Sequence, residues 1–265
     1  MRDVAALARE NFRTHATFPS RGIPEARIEE SDSLTWIDSG LSTDSFNLVL
    51  GSTLDADAVT GRAREVVDHF TRVARPFSWW VSPGDRPDDL GQRLAETGLA
   101  PEEWELAMAC PIASLRAPAP VDDLVIERAA TPASLGDFAR INAENWTPPD
   151  ALVERYYARD PARLLSADAP LRFYVARRQG TAVAAVEIAV SPGAVGVYNL
   201  STRTGHRGRG IGGALLSAAL KAVAGETRAE RAVLQAAPEA SGLYRRLGFT
   251  EFGRIAEFKP IRNVR

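Results

Sequence analysis

The sequence predicts a mixed α/β protein built from two similar halves. Three observations carry that reading. The order strand, helix, strand, helix, strand can be read once on each side of a proline-containing linker. Apolar faces of helical period alternate with short runs of β-branched and aromatic residues. The length, 265 residues, exceeds the commonest size of one domain. Apolar residues at 45% and charged residues at 25% are ordinary for a soluble globular chain and exclude disorder. Lys and Arg number 32 against 34 Asp and Glu, so the basic excess of a nucleic-acid binder is missing.

In the first half, 34–37 and 46–50 read as strands. Val59, Ala63, Val66, Val67, Phe70, Val73 and Ala74 then trace a helical face. A strand at 77–81, a helix at 87–97 stopped by Gly98, and a strand at 104–110 follow. Pro118 and Pro120 mark an extended, exposed linker at 114–122. Beyond it come a strand at 124–128 and a helix from Pro132 toward Asn145 capped by Thr131. A second helix spans 149–158, and two strands, 172–177 and 181–190, flank a Gln179-Gly180 turn. A strand at 195–201 precedes a long helix whose apolar face is Ile211, Ala214, Leu215, Ala218, Ala219, Ala222 and Val223, with Gly225 as its expected end. The order closes with a strand at 232–236, a helix at 239–247 and a strand at 249–258.

Cys110, the one cysteine, cannot form an internal disulfide, and His15, His69 and His206 are too scattered for zinc spacing, so no metal is expected. Charge interrupts residues 1–10, which lack the apolar core of a signal peptide. No apolar run approaches the ~20 residues of a membrane helix. These features predict a soluble, cytoplasmic protein without a nucleic-acid or membrane partner.

The chemistry is concentrated at Arg203-Thr204-Gly205-His206-Arg207-Gly208-Arg209-Gly210-Ile211-Gly212-Gly213, where a strand hands over to a helix. The first amides of a helix lack intrahelical partners and carry the positive end of its dipole. Glycines let an anion approach that backbone, and Arg203, Arg207 and Arg209 add charge, so the turn predicts a diphosphate site. Gly208-x-Gly210-x-x-Gly213 also satisfies a dinucleotide fingerprint, but the next strand ends Gln235-Ala236 without the carboxylate such a site uses. A P-loop is excluded because Ile211 stands where its lysine belongs.

Read as Arg-x-x-Gly-x-Gly, Arg207, Gly210 and Gly212 resemble the pyrophosphate loop of the GCN5-related N-acetyltransferases. Residues 124–258 resemble that family throughout, and Ala240-Ser241-Gly242-Leu243-Tyr244-Arg245-Arg246-Leu247-Gly248-Phe249 is similar to its A-x-x-L-Y-x-x-x-G-F helix. With 77–81 and 93–99 included, the whole chain is similar to tandem members whose N-terminal half keeps the fold and loses the loop. The resemblance implies two acyl-CoA N-acyltransferase-like halves, 1–116 and 117–265, with acetyl-CoA as co-substrate of the second. It places Leu200, Ser201 and Thr202 along the pantetheine arm and Arg207, Gly208, Arg209, Gly210, Ile211 and Gly212 around the diphosphate. It implies direct attack of a primary amine on the thioester, with Tyr244 as general acid. Two positions depart from the pattern: Ala237 stands where many members have Asn, and Thr204 where many have Pro.

Each candidate also has a plainer reading. Tyr244 is either the acid or a packing aromatic beside Leu243 and Leu247. Glu187, alone in an apolar strand, is either the base for the amine or a paired glutamate with no proton role. Tyr198 and Asn199 either reach substrate or pack, and Trp146, Tyr156 and Tyr157 either wall the acceptor cleft or fill the core. His206 reads as a solvated turn residue. In the first half Leu94 takes the place of Tyr244, and 51–58 carries Asp55 and Asp57 where phosphates need donors, so that half is expected to complete the cleft or the sheet and to bind no cofactor. A non-catalytic coenzyme A sensor and a dinucleotide-binding oxidoreductase are the rival functions. The acceptor, a small-molecule or peptide amine, and the oligomeric state stay open.

Overall fold

A computed structural model describes residues 3–261; positions 1–2 of the N-terminal segment read above, and 262–265 at the other end, lie outside the described residues. The mixed α/β class holds, with strands from both sides of the linker joined in one 11-stranded sheet. The first half comprises α1 (Val4–Thr17), β1 (Arg27–Glu30), β2 (Thr35–Asp38), β3 (Leu48–Leu50), α2 (Val59–Arg72), β4 (Ser78–Val81), α3 (Leu90–Glu96) and β5 (Leu99–Pro111). After the linker come β6 (Leu124–Arg128), α4 (Pro132–Ala143), α5 (Ala151–Ala158), the single turn α6 (Pro161–Leu164), β7 (Leu171–Arg178) and β8 (Thr181–Ser191). The chain continues through β9 (Ala194–Thr202), α7 (Ile211–Glu226), β10 (Arg231–Ala236), α8 (Ser241–Arg246) and β11 (Thr250–Pro260).

The sheet order is β1-β2-β3-β4-β11-β5-β10-β9-β8-β7-β6. Strands from the two halves therefore interleave. β5 lies antiparallel between β11 and β10, while β11 reaches across to pair with β4 through Ala256, Glu257 and Phe258. Pleat alternation lets β5 serve two cores. Leu106, Met108 and Cys110 pack with α7 and Tyr244, and Ala109 packs with Leu7 of α1 and Val233. No helix is long and apolar enough to cross a membrane, and no cluster of metal-ligating side chains occurs among the described residues.

α1, absent from the sequence reading, joins the halves as well. Its inner face includes buried Asn11 and Thr17, which break the apolar periodicity that would have revealed it. Asn11 anchors the helix on the second half, its Nδ2 donating to the Ala189 carbonyl and to Ser191 Oγ, both at 2.9 Å. Gly196 makes that approach possible, because a Cβ there would lie 1.8 Å from Asn11 Oδ1. Further along, α7 passes through Gly225 and ends at Glu226, contrary to the expected stop. Its buried face is also wider than predicted, since Leu216 and Leu220 are buried while Ala222 is exposed.

Candidate active site

β9 and β10 run parallel and pair at only four positions, from Ala194↔Arg231 to Val197↔Leu234. Beyond Val197 the strands fork. Leu200, Ser201 and Thr202 line one arm of that fork, and Gln235 and Ala236 the other. β9 also carries an extra residue against β8, a register shift between Ala185 and Glu187, with Asn199 in the left-handed region at φ 53°.

The turn after β9 leads straight into α7. Gly208 and Gly210 take φ 73° and 78°, conformations that a Cβ disfavours, and Gly210 heads the helix without a side-chain cap. The amides of Ile211, Gly212 and Gly213 are thus the open donors of the helix start. A Cβ at Gly208 would meet nothing within 4 Å, whereas one at Gly212 would lie 3.3 Å from Thr202 Oγ1 and crowd the approach to these amides. Arg209 is exposed and makes no ion pair or hydrogen bond among the described residues. Arg207 donates through Nε to the Thr202 carbonyl at 2.8 Å, which braces the turn. Arg203, counted in the sequence as a third anion ligand, instead pairs with Glu144 at 2.8 Å and points elsewhere. Open amides, room above Gly208 and an uncommitted guanidinium fit a diphosphate.

Tyr244 sits on α8 at 8% exposure, edge-on to Phe249 with ring centroids 6.0 Å apart. Burial, and secondarily the charge of Glu105 on β5, pushes its hydroxyl up to about 12. Glu105 is itself pushed up to about 7 by burial and by the neighbouring Glu257, Glu103 and Glu239. A residue of the first half thus influences the candidate acid of the second.

Glu187 is fully buried and not isolated. Its Oε1 lies 2.6 Å from His15 Nδ1, and its Oε2 accepts from Tyr157 Oη and Asn199 Nδ2, both at 3.2 Å. Asn199 Nδ2 also donates to Tyr157 Oη at 2.9 Å. Burial first, then the charge of Glu187, raises the Tyr157 hydroxyl well above its usual range, so it stays a donor. The sequence expected a carboxylate in an apolar strand to need either a cleft or partners, and the structure supplies the partners. A cavity of about 90 Å³ adjoins this network, lined from the second half by Asn145, Trp146, Tyr156 and Asn199, and from the first by His15 and Phe46. Ser201 has turned toward the same side, accepting from Asn145 Nδ2 at 2.7 Å and donating to Asn142 Oδ1 at 2.9 Å. Tyr198 packs on α1, its hydroxyl donating to Asn11 Oδ1 at 3.1 Å.

Residues 169–251 match the family model described as an acetyltransferase (GNAT) domain. The chain carries a GNAT domain. Glu187, the loop at 207–212 and Tyr244 all fall inside the matched segment, whereas His15, Phe46 and Trp146 fall outside it. No curated protein matches the chain. Among solved structures it is similar to a GCN5-related N-acetyltransferase from Kribbella flavida, at 17% identity over 95% of each chain and a TM-score of 0.73. It is also similar to a functionally unknown conserved protein from Staphylococcus epidermidis ATCC 12228, at 15% identity over 94% of this chain and 98% of that one, TM-score 0.64. A third likeness is to a tandem GNAT protein from the clavulanic acid biosynthesis pathway, at 12% identity over 94% and 86%, TM-score 0.61. At these identities the shared property is the fold. It extends over nearly the full length, so the sheet around the GNAT domain is common to chains that also carry the N-terminal half.

The sequence reading passed over His15, Phe46 and the α4 asparagines. Only fold-level pairing brings them to the site, because His15 and Glu187 are 172 positions apart. Trp146, Tyr156 and Tyr157, proposed as a possible aromatic wall, do border one cavity together.

Proposed function

We propose that the chain transfers an acetyl group from acetyl-CoA to a primary amine, the nitrogen attacking the thioester carbonyl directly. The observation that carries this reading is the β9–β10 fork opening beneath a helix start whose amides are free. In this reading residues 207–212 hold the diphosphate, with Arg209 as the free guanidinium. Leu200, Ser201 and Thr202 then run beside the pantetheine arm, which is guided toward the end of the fork. As the C–N bond forms and the C–S bond breaks, the nitrogen releases one proton and the departing thiolate takes one from Tyr244. A hydroxyl held at about 12 remains protonated across the neutral range. The desolvation that raises it also raises the proton affinity of a thiolate formed beside it, so donor and acceptor shift together. Glu187 supplies the negative charge that draws the nitrogen's proton toward the acceptor side.

Release of free thiol from acetyl-CoA across a diverse amine panel tests the reading. Amine-dependent release, slowed about a hundredfold or more by Tyr244→Phe with acetyl-CoA binding retained, is the expected result. Binding of acetyl-CoA without release for any amine would favour a coenzyme A sensor, and displacement of acetyl-CoA by NADH would favour redox chemistry.

A further inference from the structure

We propose that the cavity between the halves is the acceptor site for a primary amine on an aromatic or compact apolar body, and that His15, contributed by the N-terminal half, receives the proton from that amine. The proposal rests on the acetyl-transfer reading above and adds where the amine sits, what kind of amine it is and which group deprotonates it.

The location follows from continuity with the fork. Asn199 borders the cavity and stands two positions beyond Val197, the last β9 residue paired with β10. Tyr198, between them, is covered by the His15 ring, with centroids 3.8 Å apart and planes within 1°. An amine in the cavity therefore lies at the edge of the fork where a thioester would arrive. The cavity holds about 90 Å³, room for a compact group and not for a large ligand.

The ligand class follows from the lining. Among the described residues no lysine, arginine, aspartate or glutamate borders the cavity. A polyamine or aminoglycoside would bring several ammonium groups with no carboxylate to meet them, and a free amino acid would bring a carboxylate with no cation. Phe46 and Tyr156, stacked with centroids 3.7 Å apart, offer an aromatic wall with Trp146 at its rim. Such a surface favours a flat or apolar body carrying one amine.

The proton acceptor follows from geometry. Glu187 has no exposed surface and cannot touch a ligand. His15 lies against it through Nδ1 at 2.6 Å; its side chain keeps 17% of its surface exposed, and the residue borders the cavity. With Glu187 ionised, Nδ1 is the donor, so the Nε2 lone pair is the free acceptor; Nε2 has no partner among the described residues. The titratable groups facing this pair are Tyr156 and Tyr157 from α5 and Tyr198 from β9, with Asn199 and Phe12 completing the surround. No lysine or arginine pairs with Glu187 or His15 among the described residues. In the step, the nitrogen lone pair forms the C–N bond and its proton passes to Nε2. The C–S electrons leave with sulfur, which is protonated by Tyr244. His15 then returns its proton to solvent and Tyr244 regains one.

The test is the pH profile of kcat/KM with an arylalkylamine such as 2-phenylethylamine, compared with spermidine and with a free amino acid. The full-length protein should prefer the arylalkylamine by at least about tenfold and show one ionisation between about pH 5 and 8. His15→Gln should lose that ionisation and about a hundredfold in rate. Imidazole should partly restore His15→Ala, which a purely structural histidine would not allow. Glu187→Gln keeps His15 and should alter that profile without removing it. A His15→Gln protein that binds acetyl-CoA normally and retains the wild-type profile overturns the assignment of the base. A preference for spermidine or the amino acid overturns the assignment of the ligand class. Wild-type protein that acetylates no amine at all removes the underlying acetyl-transfer reading, a separate and recognisable failure.

Discussion

The chain contains two parallel crossover units, β3–α2–β4 and β9–α7–β10, and only the second keeps an open fork. In the first, the backbone beyond β3 is sealed. Thr53 bridges to Arg86, the Arg86 amide donates to the Ser52 carbonyl at 2.9 Å, and Trp79 Nε1 donates to Ser52 Oγ at 3.2 Å, filling the gap from inside. Asp57 stands at the turn into α2, opposing an anion by charge. Leu94, fully buried on α3, occupies the place that Tyr244 holds on α8. The shared topology thus carries no chemistry by itself. What separates the units is whether backbone donors are left free and which charge surrounds them. The first half instead contributes β5, α1 and half of a cavity wall.

The most severe way to break this comparison is to separate the halves. A fragment of residues 117–265 lacks β5 and leaves facing edges of β10 and β11 without their partner. We expect it to be aggregated or unfolded by circular dichroism; a folded, soluble fragment would show that the interleaving is dispensable. Gly212→Val should weaken acetyl-CoA binding by about a hundredfold, because its side chain grows against Thr202 and into the turn. The measurement is calorimetric affinity with the melting temperature as a control.

Glu105→Gln addresses the strand that the halves share. The folded-state pKa of Glu105, about 7, lies above the ordinary carboxylate value of 4.5, so the folded chain binds more protons than the unfolded chain between those limits. Stability from this group is therefore lost as pH rises through that window. Glu105→Gln should raise stability by about 1–3 kcal/mol at pH 8 and by much less at pH 5, as read by thermal or urea unfolding. The smallest effect distinguishes the arginines. Arg209→Ala should lower acetyl-CoA affinity about two- to fivefold in a salt-dependent way, and Arg203→Ala less than twofold, since Arg203 is engaged with Glu144.

The repeating strand–helix order, the turn at 207–212 between a strand and a helix, and the helix that carries Tyr244 were legible because each depends on residues close in sequence. Glycine at a helix start and a period of 3.6 are local signals. The shared sheet was not legible, because β5 reads as the last strand of its own half and nothing local says that it will pair with β10. α1 was hidden by its buried Asn11, a residue chosen to bond the opposite half. β1, with sequence Arg27-Ile28-Glu29-Glu30, is an edge strand whose charges mask its period. Arg203 looked like an anion ligand by position, and only the approach of α4 reveals that Glu144 claims it. Glu187 stood out by its isolation in β8, yet its partners come from α1, α5 and β9, which no spacing rule connects.

Titration of the intact chain with acetyl-CoA by calorimetry tests the central asymmetry most directly. The account predicts one molecule bound per chain, with the heat largely lost in Gly212→Val. Two molecules per chain, or a site that survives that substitution unchanged, would contradict it.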